Sequence, residues 1–343
     1  MNKLTKIGVS ALCGSLASVA SASAGTLGVS GGATATWSSL SGQNTGNPLG
    51  MNSALSFTGA GELDNGSTFT VTFNHTDQVA WSGAAIGLTV PGLGTFTVDN
   101  GTGTGIDRVD DLMPTAWEET WGTALGTGIQ TVGGAGTNTD IEWAVSPDML
   151  PDGMSAYIAW SPKPDGTGVT DKSVGGDAGG AANGSGYDIL LRSSGLYDGL
   201  DVWAGWSEIS QSSVAGSLQT GDRTQKNIGA TFTVGSIKVG YQMSQDNPQN
   251  RTGTRMYDNE AYGVSFSVND DLALSYGVHK STRAVMNAAT ANVELEAQSL
   301  QLSYTMGGAS IKIAETSADN INYNNTGTTF DRDGTTIALT LAF

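Results

Sequence analysis

The amino-acid sequence predicts an all-β chain that closes into a transmembrane antiparallel barrel of about sixteen strands. Three observations carry that expectation. Segments that alternate apolar and polar residues with period two recur along the chain. The connections between them take turns, one short and one long. The last strand, "TTIALTLAF", stops on an aromatic residue, Phe343, with no polar tail.

The alternation is regular and specific. "STFTVTFNH" sets Phe69, Val71 and Phe73 against Thr68, Thr70, Thr72 and Asn74. "NIGATFTV" sets Ile228, Ala230, Phe232 and Val234 against Asn227, Gly229, Thr231 and Thr233. "IKVGYQM" sets Ile237, Val239, Tyr241 and Met243 against Lys238, Gly240 and Gln242. Helical periodicity is hard to find, so these segments are strands with one apolar and one polar face.

Tight connections fall at 63–67, 91–94, 147–153, 195–199, 235–236, 269–271 and 306–309. Long polar ones fall at about 38–50, 75–83, 99–139, 162–185, 208–225, 245–257, 280–292 and 317–333. An even strand number with alternating connections puts short periplasmic turns on one rim and long extracellular loops on the other. The polar face is small and rich in hydroxyls and glycine, which suits a hydrated lumen, while the apolar face meets lipid. Thr72, Thr231 and Gly240 are expected to face water, and Val71, Phe232 and Val239 to face lipid. Aromatic residues near strand ends, Trp37, Trp81, Trp160, Trp206, Tyr241, Tyr304 and Phe343, suit interfacial girdles. Closure explains the terminal strand: it pairs with "TLGVSGGATATW" (26–37), so no polar tail is needed.

Residues 1–24 read as a cleaved signal peptide. Lys3 and Lys6 precede the apolar stretch "IGVSALCGSLASVA", and Ala22-Ser23-Ala24 forms a small-x-small cleavage site before Gly25. The stretch is too short and too rich in Ser and Gly to span a bilayer as a helix. Lipidation of Cys13 is disfavoured by Leu12, which stands where a small residue is expected. The mature unit is then 25–343, without cysteine, so disulfides and cysteine-based metal sites are excluded. Loss of Lys3 and Lys6 takes the 15 basic residues to 13 against 32 acidic ones, a net charge of −19. Nucleic acid is thereby excluded as a partner.

With the signal segment, the strand ladder and the terminal Phe343, the chain resembles the general porins of Gram-negative outer membranes, in particular the alphaproteobacterial type. The resemblance covers the whole mature chain and is one of architecture more than of sharp motifs. It implies a homotrimer in the outer membrane, in contact with its lipid and lipopolysaccharide. It also implies a water-filled channel for passive diffusion of small hydrophilic solutes and ions. Phe343 would mark the membrane-assembly signal, and the third long loop, 99–139, would fold into the barrel as a constriction loop.

That loop carries Asp107, Arg108, Asp110, Asp111, Glu118 and Glu119 among the bulky Leu112, Met113, Trp117 and Trp121. A connection of this length is usually functional, and its aromatics call for a packing surface. Strand parity nominates the facing wall: Arg192 between outward neighbours, Lys238 between Ile237 and Val239, Lys312 between Ile311 and Ile313, and Glu142 between Ile141 and Trp143. Arg192 and Lys238 lie close to short turns, at the periplasmic mouth. The loop carboxylates outnumber these cations, so a modest cation preference is expected. The same carboxylates could ligate calcium, although their spacing does not follow an EF-hand. No other cofactor is expected.

Enzymatic readings are weak. "GVSGG" (28–32) matches Gly-x-Ser-x-Gly but runs on as strand where the nucleophile elbow needs a helix. "GTGTG" (101–105) lacks a strand–helix setting, and His75 and His279 are the only histidines. Two alternatives stand beside the diffusion channel. One is a secreted Gly-rich β protein such as an adhesin or surface-layer component. The other is a substrate-specific outer-membrane channel.

Overall fold

The computed structural model describes residues 25–41, 47–77, 82–122, 125–136, 139–164, 183–211, 221–249, 254–285, 291–327 and 330–343. The expected signal peptide and Trp81 lie outside the described residues. The alternating segments form sixteen strands: β1 (Thr26–Leu40), β2 (Leu49–Glu62), β3 (Thr68–Thr76), β4 (Gly83–Val90), β5 (Gly94–Asn100), β6 (Thr139–Val145), β7 (Met154–Ser161), β8 (Asn183–Ser193), β9 (Leu200–Gln211), β10 (Arg223–Val234), β11 (Ile237–Asn247), β12 (Thr254–Ser267), β13 (Leu272–Val285), β14 (Val293–Met306), β15 (Ala309–Asp319) and β16 (Arg332–Ala342). Each pairs antiparallel with its sequence neighbours, and β1 pairs with β16, so the sheet is a closed barrel. The third long connection is one to two residues shorter at each end than 99–139, because the β5–β6 ladder extends to Asn100 and Thr139.

Closure uses the residues at the chain's end. Ala342 stands opposite Gly32 and Gly334 opposite Leu40. The Phe343 amide donates to the Gly31 carbonyl at 2.9 Å, and the Gly31 amide donates to the Phe343 carbonyl at 3.2 Å. On the lumen side the hydroxyls of Thr34 and Thr340 meet at 2.9 Å. No sheet edge is left for lipid to face.

The outer face is apolar, as the alternation requires. Val239 is 44% exposed, and Ile237, Tyr241 and Met243 of the same strand are also exposed. Trp37, Trp160 and Trp206 lie outward in strands at positions nearer the long loops, while Tyr241, Tyr304 and Phe343 lie outward nearer the short turns. Trp143 stacks on Phe96 and donates its ring N–H to the Leu93 carbonyl at 2.9 Å, keeping its polar atom satisfied near the turn rim. A soluble sandwich would bury these faces; here they ring the outside.

The packed core lies inside the barrel, between the third loop and the wall. Val109 packs with Leu190 of β8 and Trp203 of β9, joined by Leu112, Met113 and Tyr157. Leu125 packs with Val293, Leu295 and Ala297 of β14, Ala318 of β15, and Ile321 and Tyr323 of the last long loop. Inward positions are therefore not uniformly hydrated. Thr231 is buried. A Cβ on Gly240 would stand 2.5 Å from Pro114 Cδ, and one on Gly263 would stand 2.9 Å from the Pro114 carbonyl oxygen. The expectation of free water at Thr231 and Gly240 is corrected: both point inward, but the loop covers them. Thr72, on β3, stays open.

Two outcomes are expected. Val71→Arg should block stable insertion, because charge at the lipid midplane costs roughly 2–4 kcal/mol, whereas Val239→Arg, at the third residue of β11 beside the short turn, should cost less. Thr72→Arg should insert normally, while Gly240→Arg should assemble but displace the loop. Heat-modifiable folded barrel on gels checks this, and equal loss for Val71→Arg and Thr72→Arg would contradict the facing. Phe343→Asp should lower assembly by removing an apolar side chain from the lipid face at the closing seam, and unchanged barrel yield would count against that role.

Candidate functional site: the loop inside the barrel

After β5, residues 101–122 and 125–136 lie in the lumen along the wall of β8–β16. Irregular backbone inside a barrel needs hydrogen-bond partners, and inward side chains of the wall supply them. Glu142 accepts the Gly105 amide at 2.8 Å, and Asp188 accepts the amides of Ile106 (3.2 Å) and Ala135 (2.9 Å). Asn227 donates to the Val109 carbonyl (3.1 Å), and Gln242 donates to that of Asp110 (3.1 Å). Ser275 accepts the Ala116 amide at 2.8 Å. Gln301 takes three contacts: it accepts from Trp117 (2.9 Å) and Glu118 (3.1 Å) and donates to the Glu118 carbonyl (2.8 Å). On the returning limb Gln225 accepts the Gly134 amide at 2.6 Å, and Tyr323 accepts that of Gln130 at 2.8 Å.

The nominated residues divide into those that remain free and those that are neutralised. Arg108 Nε donates to Glu142 at 2.9 Å, its Nη2 donates to the other carboxylate oxygen, and its guanidinium lies 4.8 Å from the Tyr157 ring centroid. Loop cation and wall anion thus cancel. Arg192 makes a forked pair with Asp201. Lys312 lies within the field of Glu118. Lys238, the second residue of β11, stands beside the short turn.

Asp107, Asp110, Glu118 and Glu119 are half-buried on the loop, and Asp111 is exposed. Burial pushes the Asp110 carboxyl up to about 8, with added repulsion from Asp107, Asp111 and Glu119. Burial likewise raises Asp107 to about 6, helped by Asp111, Asp188 and Asp99. Glu118 is raised by burial and by Glu119, with Lys312 opposing. Among the described residues no three His, Cys, Asp or Glu side chains converge as metal ligands.

One expectation is corrected. Arg192, Lys238 and Lys312 lie on β8, β11 and β15, on the side where the loop is docked, not across from it. The wall that the loop leaves uncovered is formed by β1–β5. Its inward Thr34, Thr36, Asn52, Ser56, Thr58, Thr70, Thr72, Asn74, Thr95 and Thr97 are all at least partly exposed. The buried inward Gln225, Asn227, Gln242, Ser275, Ser299 and Gln301 lie beneath the loop. Arg108 is the first basic residue after Lys6, so that open wall carries no cation at all.

The sequence reading missed the anchors Asp188, Gln225, Asn227, Gln242 and Gln301. A signal was present: inward positions of β1–β5 are Thr, Ser, Asn, Gly and Ala with few carboxylates, whereas longer amides and acids enter that face from β6 onward.

Comparison with known proteins agrees with this geometry. A search of curated proteins returns no match. Among solved structures, the chain is similar to Salmonella typhi OmpF in complex with daunomycin (15% identity, TM-score 0.68, 92% of this chain and 97% of that one). It is also similar to the trimer form of Vibrio cholerae OmpT (12%, 0.66, 93% and 99%) and to the anion-selective porin of Comamonas acidovorans (13%, 0.65, 93% and 100%). These identities establish a common fold alone. The family model described as Gram-negative porin matches residues 8–308. With a sixteen-stranded closed barrel and an inward third loop, the chain is a member of the Gram-negative porin family, a β-barrel of the outer membrane.

Proposed function

We propose that this porin is a water-filled channel for passive diffusion of small hydrophilic solutes and ions, with a modest preference for cations. The passage runs between the free face of the third loop and the wall of β1–β5. The single observation that supports the sign of the preference is the asymmetry of charge. The loop carries Asp107, Asp110, Asp111, Glu118 and Glu119, and no Lys or Arg occurs from residue 7 to residue 107. Arg108 and Arg192 are held by Glu142 and Asp201, so they offset the carboxylates little. In a narrow passage with low-dielectric walls, fixed charge of one sign enriches its counter-ion. The Comamonas acidovorans porin is described as anion-selective, so the shared fold leaves selectivity to side chains. The working assembly is a homotrimer embedded in outer-membrane lipid and lipopolysaccharide; the trimeric Vibrio cholerae neighbour supports it.

Neutralising Asp110, Asp111, Glu118 and Glu119 to their amides should move the reversal potential in a salt gradient towards that of anions. Conductance in a planar bilayer should persist, because the lumen remains. An unmoved reversal potential would assign these residues to an electrically silent surface. The wild-type preference should also weaken at high salt, where screening shortens the range of fixed charge.

The pH dependence has a definite sign. A carboxyl with a raised pKa carries no charge until the pH exceeds that value. Asp110, near 8, is protonated at neutral pH, whereas Asp107, near 6, is mostly ionised. Cation preference should therefore rise between about pH 7 and about pH 9 and fall between about pH 7 and about pH 5. Asp110→Asn should leave the neutral-pH value in place and abolish the alkaline rise. A rise retained in that variant would remove Asp110 as its source.

A further inference from the structure

The open wall has a second property besides its lack of Lys and Arg. Thr58 of β2 stands opposite Thr72 of β3, Thr70 lies one inward position along from Thr72, and Thr97 of β5 lies across Gly87 of β4 from Thr70. The hydroxyls of Thr58, Thr70, Thr72 and Thr97 meet no hydrogen-bond partner among the described residues. Their neighbours Ala60, Ala85 and Gly87 are too small to cover them. The result is a ladder of unengaged hydroxyls that both donate and accept, running up a wall without Lys or Arg, whose inward carboxylates are Glu62 and the buried Asp99. On the channel reading the loop carboxylates stand across the passage from this wall; among them Asp111 is exposed.

A solute squeezed between these surfaces loses water on two sides. On the loop side only positive charge is compensated. On the wall side a hydroxyl or carbonyl of the solute can replace lost water by exchanging hydrogen bonds with the threonines, whereas an alkyl surface cannot. Strongly hydrated inorganic cations satisfy the first surface but not the second. A neutral sugar satisfies the second but gains nothing from the first.

We propose that the passage favours polyhydroxylated organic cations, the chemical class of amino sugars and amino polyols, with Thr58, Thr72 and Thr97 determining specificity for the hydroxyls and the loop carboxylates for the ammonium group. This rests on the channel reading and deepens it by naming a solute class.

The test uses the full mature chain in planar bilayers, with bi-ionic reversal potentials measured for two chloride salts. One is N-methylglucammonium, which carries five hydroxyls; the other is tetraethylammonium, which carries none. The permeability ratio of the first to the second should exceed one in the wild type. In the Thr58→Val/Thr72→Val/Thr97→Val variant, which keeps β-branched residues in the strands, the ratio should fall about fivefold, the factor one ordinary net hydrogen bond carries. Amide substitution of Asp111, Glu118 and Glu119 should lower both organic cations against chloride and leave their ratio in place. A wild-type ratio at or below one overturns the proposal, even if the valine variant fails to assemble. So does a ratio that the valine substitutions leave unchanged. Absence of any conductance in potassium chloride would instead overturn the channel reading itself.

Discussion

Backbone that enters a barrel without forming strand must find hydrogen-bond partners there, and this requirement governs the rest of the structure. The third loop has no ladder of its own, so its amides and carbonyls turn to Asp188, Gln225, Asn227, Gln242, Ser275 and Gln301. Leaving one such buried group unpaired costs about 1–3 kcal/mol. The loop therefore lies where the wall is rich in amides and carboxylates, on β8–β14. Two apolar patches at inward positions, around Leu190 and Leu295, add burial that a lumen filled only with water would lack. Gly240 and Gly263 let Pro114 approach the wall, where any side chain would collide.

Fixing the loop against one wall also decides where water flows. The inward residues of the strands it covers are buried, and those of the strands it leaves, β1–β5, stay largely exposed. Small hydroxyl residues there are not anchors but lining. The charge balance follows from the same placement: Arg108, Arg192 and Arg223 are tied to Glu142, Asp201 and Asp246, while the free wall carries no Lys or Arg. Docking thus converts an asymmetric distribution of residue types around the sheet into an asymmetric passage.

Burial of the loop's own acids adds a further layer. Asp107 and Asp110 gain packing for their segment at the cost of desolvation, and that cost appears as raised pKa values. Their neighbours are largely acidic, so repulsion and desolvation act in the same direction. Charge on the loop is for that reason adjustable near neutrality, whereas an exposed carboxylate such as Asp111 has no such burial.

The sequence by itself determined the barrel. Period-two alternation, the sequence of short and long connections, and the terminal strand ending in Phe343 are local patterns, and a closed sheet is the arrangement that satisfies all of them in lipid. It also located the acidic third loop, the facing of Val239 and Thr72, and the inward direction of Lys238, Lys312 and Glu142. The absence of Lys and Arg from 7 to 107 was equally legible, since it needs only a count. What the sequence could not show is which wall the loop chooses, because that depends on side chains of strands such as β8 and β14, which are far apart in sequence and meet the same loop only in the folded barrel. Parity reports inward or outward for Gly240, Thr231 and Arg192, but not whether water, Pro114 or Asp201 stands in front of them. Those distinctions belong to the tertiary structure, where hydrogen-bond partners and packing surfaces from non-neighbouring strands compete for one segment of backbone.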